Sequence, residues 1–226
     1  DLHSFPTRRS SDLHIEQASP VRRMDGLREY RLVIYPDIAA YNKLVAEKQR
    51  FCTRFGVEAV MKSFPSIVVA CFYAREGMEE TLIRWIQRIC GLCNSFLVTL
   101  NNYSGFPNHT IYLRITDARP FRQLAKQLKT VDDFVVSSCG QPAWLSHHPY
   151  MGFAEELPER IYERAMPFYS SKIFRATFPV NELVLLARDH PFAASKTVNV
   201  FRFSPGTEPV HSDMARYITS LQKEKL

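Results

Sequence analysis

Strand-length apolar runs that take turns with helical stripes constrain this chain most, because only sheets covered by outer helices bury both kinds of face. Residues 30–35, YRLVIY, have the length and side-chain character of a buried strand. Pro36 and Asp37 then open a helix whose apolar stripe is Ile38, Tyr41, Leu44, Val45, Phe51, Cys52 and Phe55, ending at Gly56. A strand is expected over 67–73 and a second helix over 78–89. Segments 96–100 and 110–115 read as a hairpin with a long loop, since Asn101-Asn102-Tyr103-Ser104-Gly105-Phe106-Pro107-Asn108 is rich in turn formers. A third helix is marked by Pro120, Phe121, Leu124, Ala125 and Leu128, and a fourth by Pro158, Ile161, Tyr162 and Ala165. Between them lie the apolar run Phe134-Val135-Val136 and a segment opening at Pro149. Three β-like runs follow, over 173–178, 182–187 and 197–203.

This order implies an α+β fold with two pseudo-symmetric lobes, each a mainly antiparallel sheet with outer helices, around a central cleft. No low-complexity tract or linker divides residues 24–204, which are expected to form one bilobed domain. In the tail, 205–226, Met214, Tyr217, Ile218 and Leu221 have helical spacing. Residues 1–13, DLHSFPTRRSSDL, match one reading frame of a sequencing adapter, so 1–23 is read as non-native leader and Met24 as the expected start.

The hydrophobic fraction of 46% is ordinary for a chain with a proper core. No segment reaches the roughly 20 uninterrupted apolar residues of a spanning helix, so no membrane association is expected, and the cytoplasm is the expected compartment. The net charge of +6 does not come from the adapter stretch, where Arg8 and Arg9 offset Asp1 and Asp12. It suits a phosphate-bearing partner, although the charges are scattered rather than massed. Five cysteines, Cys52, Cys71, Cys90, Cys93 and Cys139, sit in apolar surroundings and read as reduced thiols. The Cys90-Gly91-Leu92-Cys93 pair falls at a helix C-terminus, where the dipole does not lower a thiol pKa. One such pair is half a zinc site, so no metal and no cofactor are expected. Neither a GxSxG elbow, a P-loop nor a GxGxxG turn is present.

Several anchors resemble the 2H phosphoesterase superfamily, in particular bacterial 2'-5' RNA ligase-like (cyclic phosphodiesterase-like) proteins. They are YRLVIYP, FPSIVVACF, the segment from Gly105 to Leu113, PYMGFAEELP from Pro149 to Pro158, and ELVLLAR from Glu182 to Arg188. The resemblance implies two Pro-His-x-Thr signatures facing one another. Two imidazoles there move protons on either side of a cyclic phosphate while two hydroxyls hold its oxygens. Both copies are degenerate in this chain. Aligning Pro65 puts Ser66 at the first histidine and Val68 at its threonine, and aligning Pro149 puts Tyr150 and Gly152 at the second pair.

The expected protein is therefore a catalytically inactive relative. It is expected to be a monomer, with a cleft for RNA or a nucleotide bearing a terminal or cyclic phosphate. Tyr150, Ser66, Tyr73 and Arg114 are the candidate contacts; Arg75 and Arg188 are further candidates to hold a phosphate, and Phe72, Tyr112 and Phe153 to stack a base, although these rings also suit a core. Two alternatives stay open. His148, about 7 Å from Tyr150 along an extended segment, is a candidate for weak 2',3'-cyclic phosphodiesterase chemistry. A scaffold role through Phe168-Tyr169 and the tail is the other. His109-Thr110 is read as structural, with the two side chains on opposite faces of a strand.

Overall fold

A computed structural model describes residues 26–190 and 193–205. The expected leader and the tail helix at Met214 to Leu221 lie outside the described residues. The elements are β1 (Leu27–Ile34), α1 (Ile38–Phe55), β2 (Ile67–Arg75), α2 (Glu79–Leu92), β3 (Phe96–Phe106), β4 (Thr110–Ile115), α3 (Arg119–Cys139), β5 (Trp144–Leu145), β6 (Tyr150–Ala154), α4 (Glu159–Ser170), β7 (Arg175–Val180), β8 (Glu182–Arg188) and β9 (Lys196–Arg202). A 3-10 turn, Glu58–Lys62, connects α1 to β2.

Two sheets result, one ordered β5-β2-β1-β8-β9 and the other β6-β4-β3-β7. Every strand pairing is antiparallel. The expected mixed α+β architecture with two helix-covered sheets is present, but the lobes interleave along the chain. The last two strands return to flank β1, and α1, which joins two strands of the first sheet, packs against β6 and β7 of the second. Conversely, α3 follows the hairpin of the second sheet and packs on β2 of the first. One core therefore spans both sheets: Phe51 of α1 lies 5.8 Å from Phe153 of β6 and 5.5 Å from Tyr169 of α4, ring to ring.

Local chemistry explains the boundaries. Asp37 accepts from the Ala40 amide at 2.8 Å and satisfies a free donor of the first turn of α1; Gly56 ends the helix in the left-handed region. Two sequence expectations change. Phe134-Val135-Val136 belongs to α3, where Leu128, Val131 and Val135 fall on one buried face and the helix continues to Gly140. The long hairpin loop is mostly strand: β3 runs to Phe106, and Asn102 sits in a bulge at φ 53 with its side chain accepting from Phe174 N. Asparagine tolerates that left-handed conformation, so the Asn-Asn pair marks a bulge instead of a turn.

Candidate ligand-binding cleft

The two proline-led segments meet at the seam between the sheets. Pro65 and Pro149 are buried, and the Gly152 amide donates to the Ser66 carbonyl at 3.4 Å. Downstream, the Ser146 amide donates to Val69 O at 2.9 Å and sets the approach to β6. Ile67, Val69, Met151 and Phe153 are fully buried in the core, which turns their alternates Ser66, Val68, Tyr150 and Gly152 the other way. A bulge pairs Leu32 with Ala70 and Val33 with Val68, so Val69 is the extra residue and Cys71 joins Val68 on the face away from the core.

All four of these positions line one cleft of about 790 Å³. Its first wall carries Arg31, Leu186 and Arg188, with Lys196 and Thr197 beside them; Tyr35, Phe64 and Trp144 add aromatic surface. A small apolar cluster of Val33, Val184 and Leu186, separate from the main core, lies on this wall. Beside it Glu29 is buried and takes bonds from Arg188 Nε at 2.8 Å, Arg188 Nη2 at 2.6 Å and Arg31. Burial works against the charged carboxyl, but the two guanidiniums outweigh it and hold Glu29 below the usual carboxylate range.

The second wall is Tyr150, Gly152 and Glu155. Tyr150 is held by Phe106 at 5.2 Å and Tyr112 at 5.1 Å, ring to ring. A Cβ built on Gly152 would come within 2.7 Å of Glu155 Oε1, so the carboxylate rests directly on the glycine. Desolvation raises the Glu155 pKa, opposed by the nearby charges of Lys48 and Arg31. Lys48 is itself buried and pulled down to about 8 by desolvation. Its Nζ donates to Val60 O at 3.2 Å, Ser63 O at 2.7 Å and Ser63 Oγ at 3.0 Å, pinning the turn that delivers Phe64, Pro65 and Ser66 to the cleft.

The sequence model of the 2'-5' RNA ligase superfamily matches residues 66–191, a span that contains both strands after the prolines and, of the cleft wall, Ser66, Val68, Tyr150, Gly152 and Arg188. The chain belongs to the 2'-5' RNA ligase superfamily. Solved structures agree on the fold. LigT of E. coli in apo form aligns at a TM-score of 0.55 and 12% identity, over 79% of this chain and 98% of that one. LigT complexed with 3'-AMP gives 0.55 and 14%, over 79% and 99%. TT0787 of Thermus thermophilus gives 0.53 and 14%, over 77% and 97%. No curated protein gives a significant match to the sequence.

Within this superfamily member, other candidates fall outside the cleft walls. Tyr73 follows Cys71 along β2, is 37% exposed and sits in the field of Glu29; it does not line the cavity. Arg114 pairs in register with Tyr150 but is exposed and also absent from the lining. Phe72 and Phe153 are core residues, and Tyr112 acts as a support for Tyr150. His148 is exposed in the bend before β6, outside the lining, because buried Pro149 separates it from the strand. His109 lies in the turn before β4, so strand alternation does not apply to it, and its Nδ1 is 2.7 Å from Thr110 Oγ1. The opposite-face expectation for that pair is corrected accordingly.

Arg31, Lys62, Glu155, Trp144 and Lys196 were not singled out by sequence. Arg31 carried a usable signal, a charge inside an otherwise apolar strand. Among the described residues, no three His, Cys, Asp or Glu side chains gather as a metal site, and no helix is long and apolar enough to cross a membrane.

Proposed function

We propose that this protein is a catalytically silent member of the superfamily that binds a nucleotide or RNA end, with a terminal or cyclic phosphate, in the inter-sheet cleft. The observation that carries the reading is the joint placement of Ser66, Val68, Tyr150 and Gly152 in one cleft whose lining holds no imidazole among the described residues. Each general acid or base is worth about 10² to 10⁴ in rate, and a serine and a tyrosine cannot exchange protons near neutral pH as two histidines do. Binding is a separate matter. The cleft keeps Arg31, Lys62, Arg188 and Lys196 for a phosphate and Tyr150 for a base face. In the same reading, residues 24–204 act as one unit, and the chain works as a cytoplasmic monomer.

The test pairs two measurements on purified protein. Isothermal titration with adenosine and guanosine 3'-monophosphates is expected to show binding at micromolar to millimolar concentration. Incubation with the 2',3'-cyclic nucleotides is expected to leave them intact. Enzyme-like turnover would overturn the silence, and absence of any nucleotide binding would overturn the ligand assignment.

A further inference from the structure

The wall that β1, β8 and β9 present to the cleft is cationic and held in place from behind. Glu29 is 5% exposed, stands outside the lining, and accepts from Arg188 Nε at 2.8 Å, Arg188 Nη2 at 2.6 Å and Arg31 Nε. One buried carboxylate thus orders two guanidiniums that both line the cavity, and its single charge leaves the pair net positive. Lys62 and Lys196 stand on the same cavity, where Glu155 is the acid of the lining among the described residues. Val68 and Gly152 have no hydroxyl, so the charged donors of this wall, rather than the two signature threonine positions, are left to hold phosphate oxygens.

Strand register gives the wall a direction. Trp144 pairs with Cys71, Cys71 with Arg31, Arg31 with Leu186 and Leu186 with Thr197, which makes one row across β5, β2, β1, β8 and β9. Trp144, Arg31, Leu186 and Thr197 all line the cavity. Trp144 is 45% exposed at the β5 edge and stands two strands from Arg31, about 10 Å between Cα positions. The next strand in the chain, β6, carries Tyr150 and is an edge strand of the other sheet. A base at this end meets the rings of Trp144 and Tyr150, and its phosphate then falls at Arg31, with Arg188 and Lys196 beyond. A cavity of about 790 Å³ is in the range that holds a mononucleotide.

Resting on the nucleotide-binding reading above, we propose that the cleft takes a terminal phosphomonoester in preference to a cyclic phosphodiester, with the phosphate on Arg31 and Arg188 and the base at Trp144. Near pH 7 a monoester carries about two negative charges and three acceptor oxygens, whereas the cyclic diester carries a single charge on a pair of such oxygens. The excess positive charge of the lining favours the monoester. Titration of the intact protein with adenosine 3'-monophosphate and with adenosine 2',3'-cyclic monophosphate is expected to give at least about tenfold tighter binding of the former. In Arg31→Met that ratio is expected to fall within about threefold. Trp144→Leu is expected to weaken both nucleotides by about fivefold or more while leaving their ratio, and the affinity for inorganic phosphate, unchanged. Thermal melting checks that both variants are folded. Equal affinities in the wild type, or an unchanged ratio in Arg31→Met, overturn the selectivity while leaving nucleotide binding in place. Nucleotide affinities unmoved by Trp144→Leu overturn the placement of the base. If neither nucleotide binds, the nucleotide-binding reading falls and the selectivity falls with it.

Discussion

Replacing Lys48 by methionine separates the electrostatic cost of a buried ammonium from the hydrogen bonds it makes. Lys48 is 2% exposed on α1, and burial brings its pKa from 10.5 to about 8. That difference corresponds to about 3 kcal/mol of stability withheld below pH 8, since the native state must then bury the proton that the unfolded chain holds freely. The sign follows. Between pH 8 and 10.5 the unfolded chain binds more protons at this group than the native chain, so stability rises with pH across that window. By linkage, Lys48 alone raises stability by about 2.5 kcal/mol from pH 7 to pH 10. Methionine cannot titrate and contributes no such rise. It also leaves Val60 O and Ser63 O without their donor, at about 1 to 3 kcal/mol each. Near pH 7 this loss is largely offset by removal of the buried charge, so the variant should lie within a few kcal/mol of the parent. At pH 10 the gap should be about 2.5 kcal/mol wider. Urea unfolding followed by the fluorescence of Trp85 and Trp144 at pH 7, 8.5 and 10 measures it. Tyr30, Tyr103 and Tyr169, whose pKa values burial also raises, titrate equally in both proteins and cancel in the difference. Parallel stability curves would refute the argument.

Three further outcomes are expected. Converting Ser66 and Tyr150 to histidine and Val68 and Gly152 to threonine, together with Glu155→Ala, should create measurable opening of 2',3'-cyclic nucleotides. The same four changes with Glu155 retained should be weaker, because a Cβ at position 152 meets Oε1 at 2.7 Å. Glu29→Gln should cost about 3 kcal/mol in urea unfolding at pH 7 by leaving Arg31 and Arg188 without their shared carboxylate. Because the Glu29 pKa is held low, its contribution is present above the ordinary carboxyl value of 4.5 and is lost as pH falls below it; the variant should lack that acid-dependent loss. Gly105→Ala should lower stability by about 1 to 3 kcal/mol, since its Cβ would lie 2.9 Å from Met166 Sδ and 3.1 Å from Thr110 O and would lift α4 from the hairpin. An unchanged melting temperature would contradict that packing.

Periodicity made the elements legible wherever one face is buried and the other is not. The stripe of α1 could be read from Tyr41 to Phe55 because Leu44, Phe51, Cys52 and Phe55 reach the main core and Tyr41 and Val45 a small cluster with Phe64, and only Ile38, at 51% exposure, breaks it. Phe134-Val135-Val136 could not be placed the same way, because three consecutive apolar residues carry no period; their helical state is set by packing on β2 and by Gly140. That Ser66 and Val68 share a face, as do Tyr150 and Gly152, was legible from strand alternation after the prolines. The place of Glu155 on the cleft wall was not, because it depends on Gly152 lacking a side chain three residues earlier. Lys62 and Lys196 come from separate parts of the chain and meet only because β9 returns to the first sheet.

The strands that would carry the chemistry also carry the core, and the two duties fall on opposite faces. Ile67, Val69, Met151 and Phe153 are fully buried, and any polar replacement there would cost several kcal/mol. Ser66, Val68, Tyr150 and Gly152 line the cleft, where exchange of side chains touches neighbours such as Glu155, Phe106 and Tyr112 but leaves the fully buried face in place. The seam itself is tied by backbone, Gly152 N to Ser66 O, which no side-chain change at either position removes. The frame of the cleft is thus set by the buried face and the backbone tie.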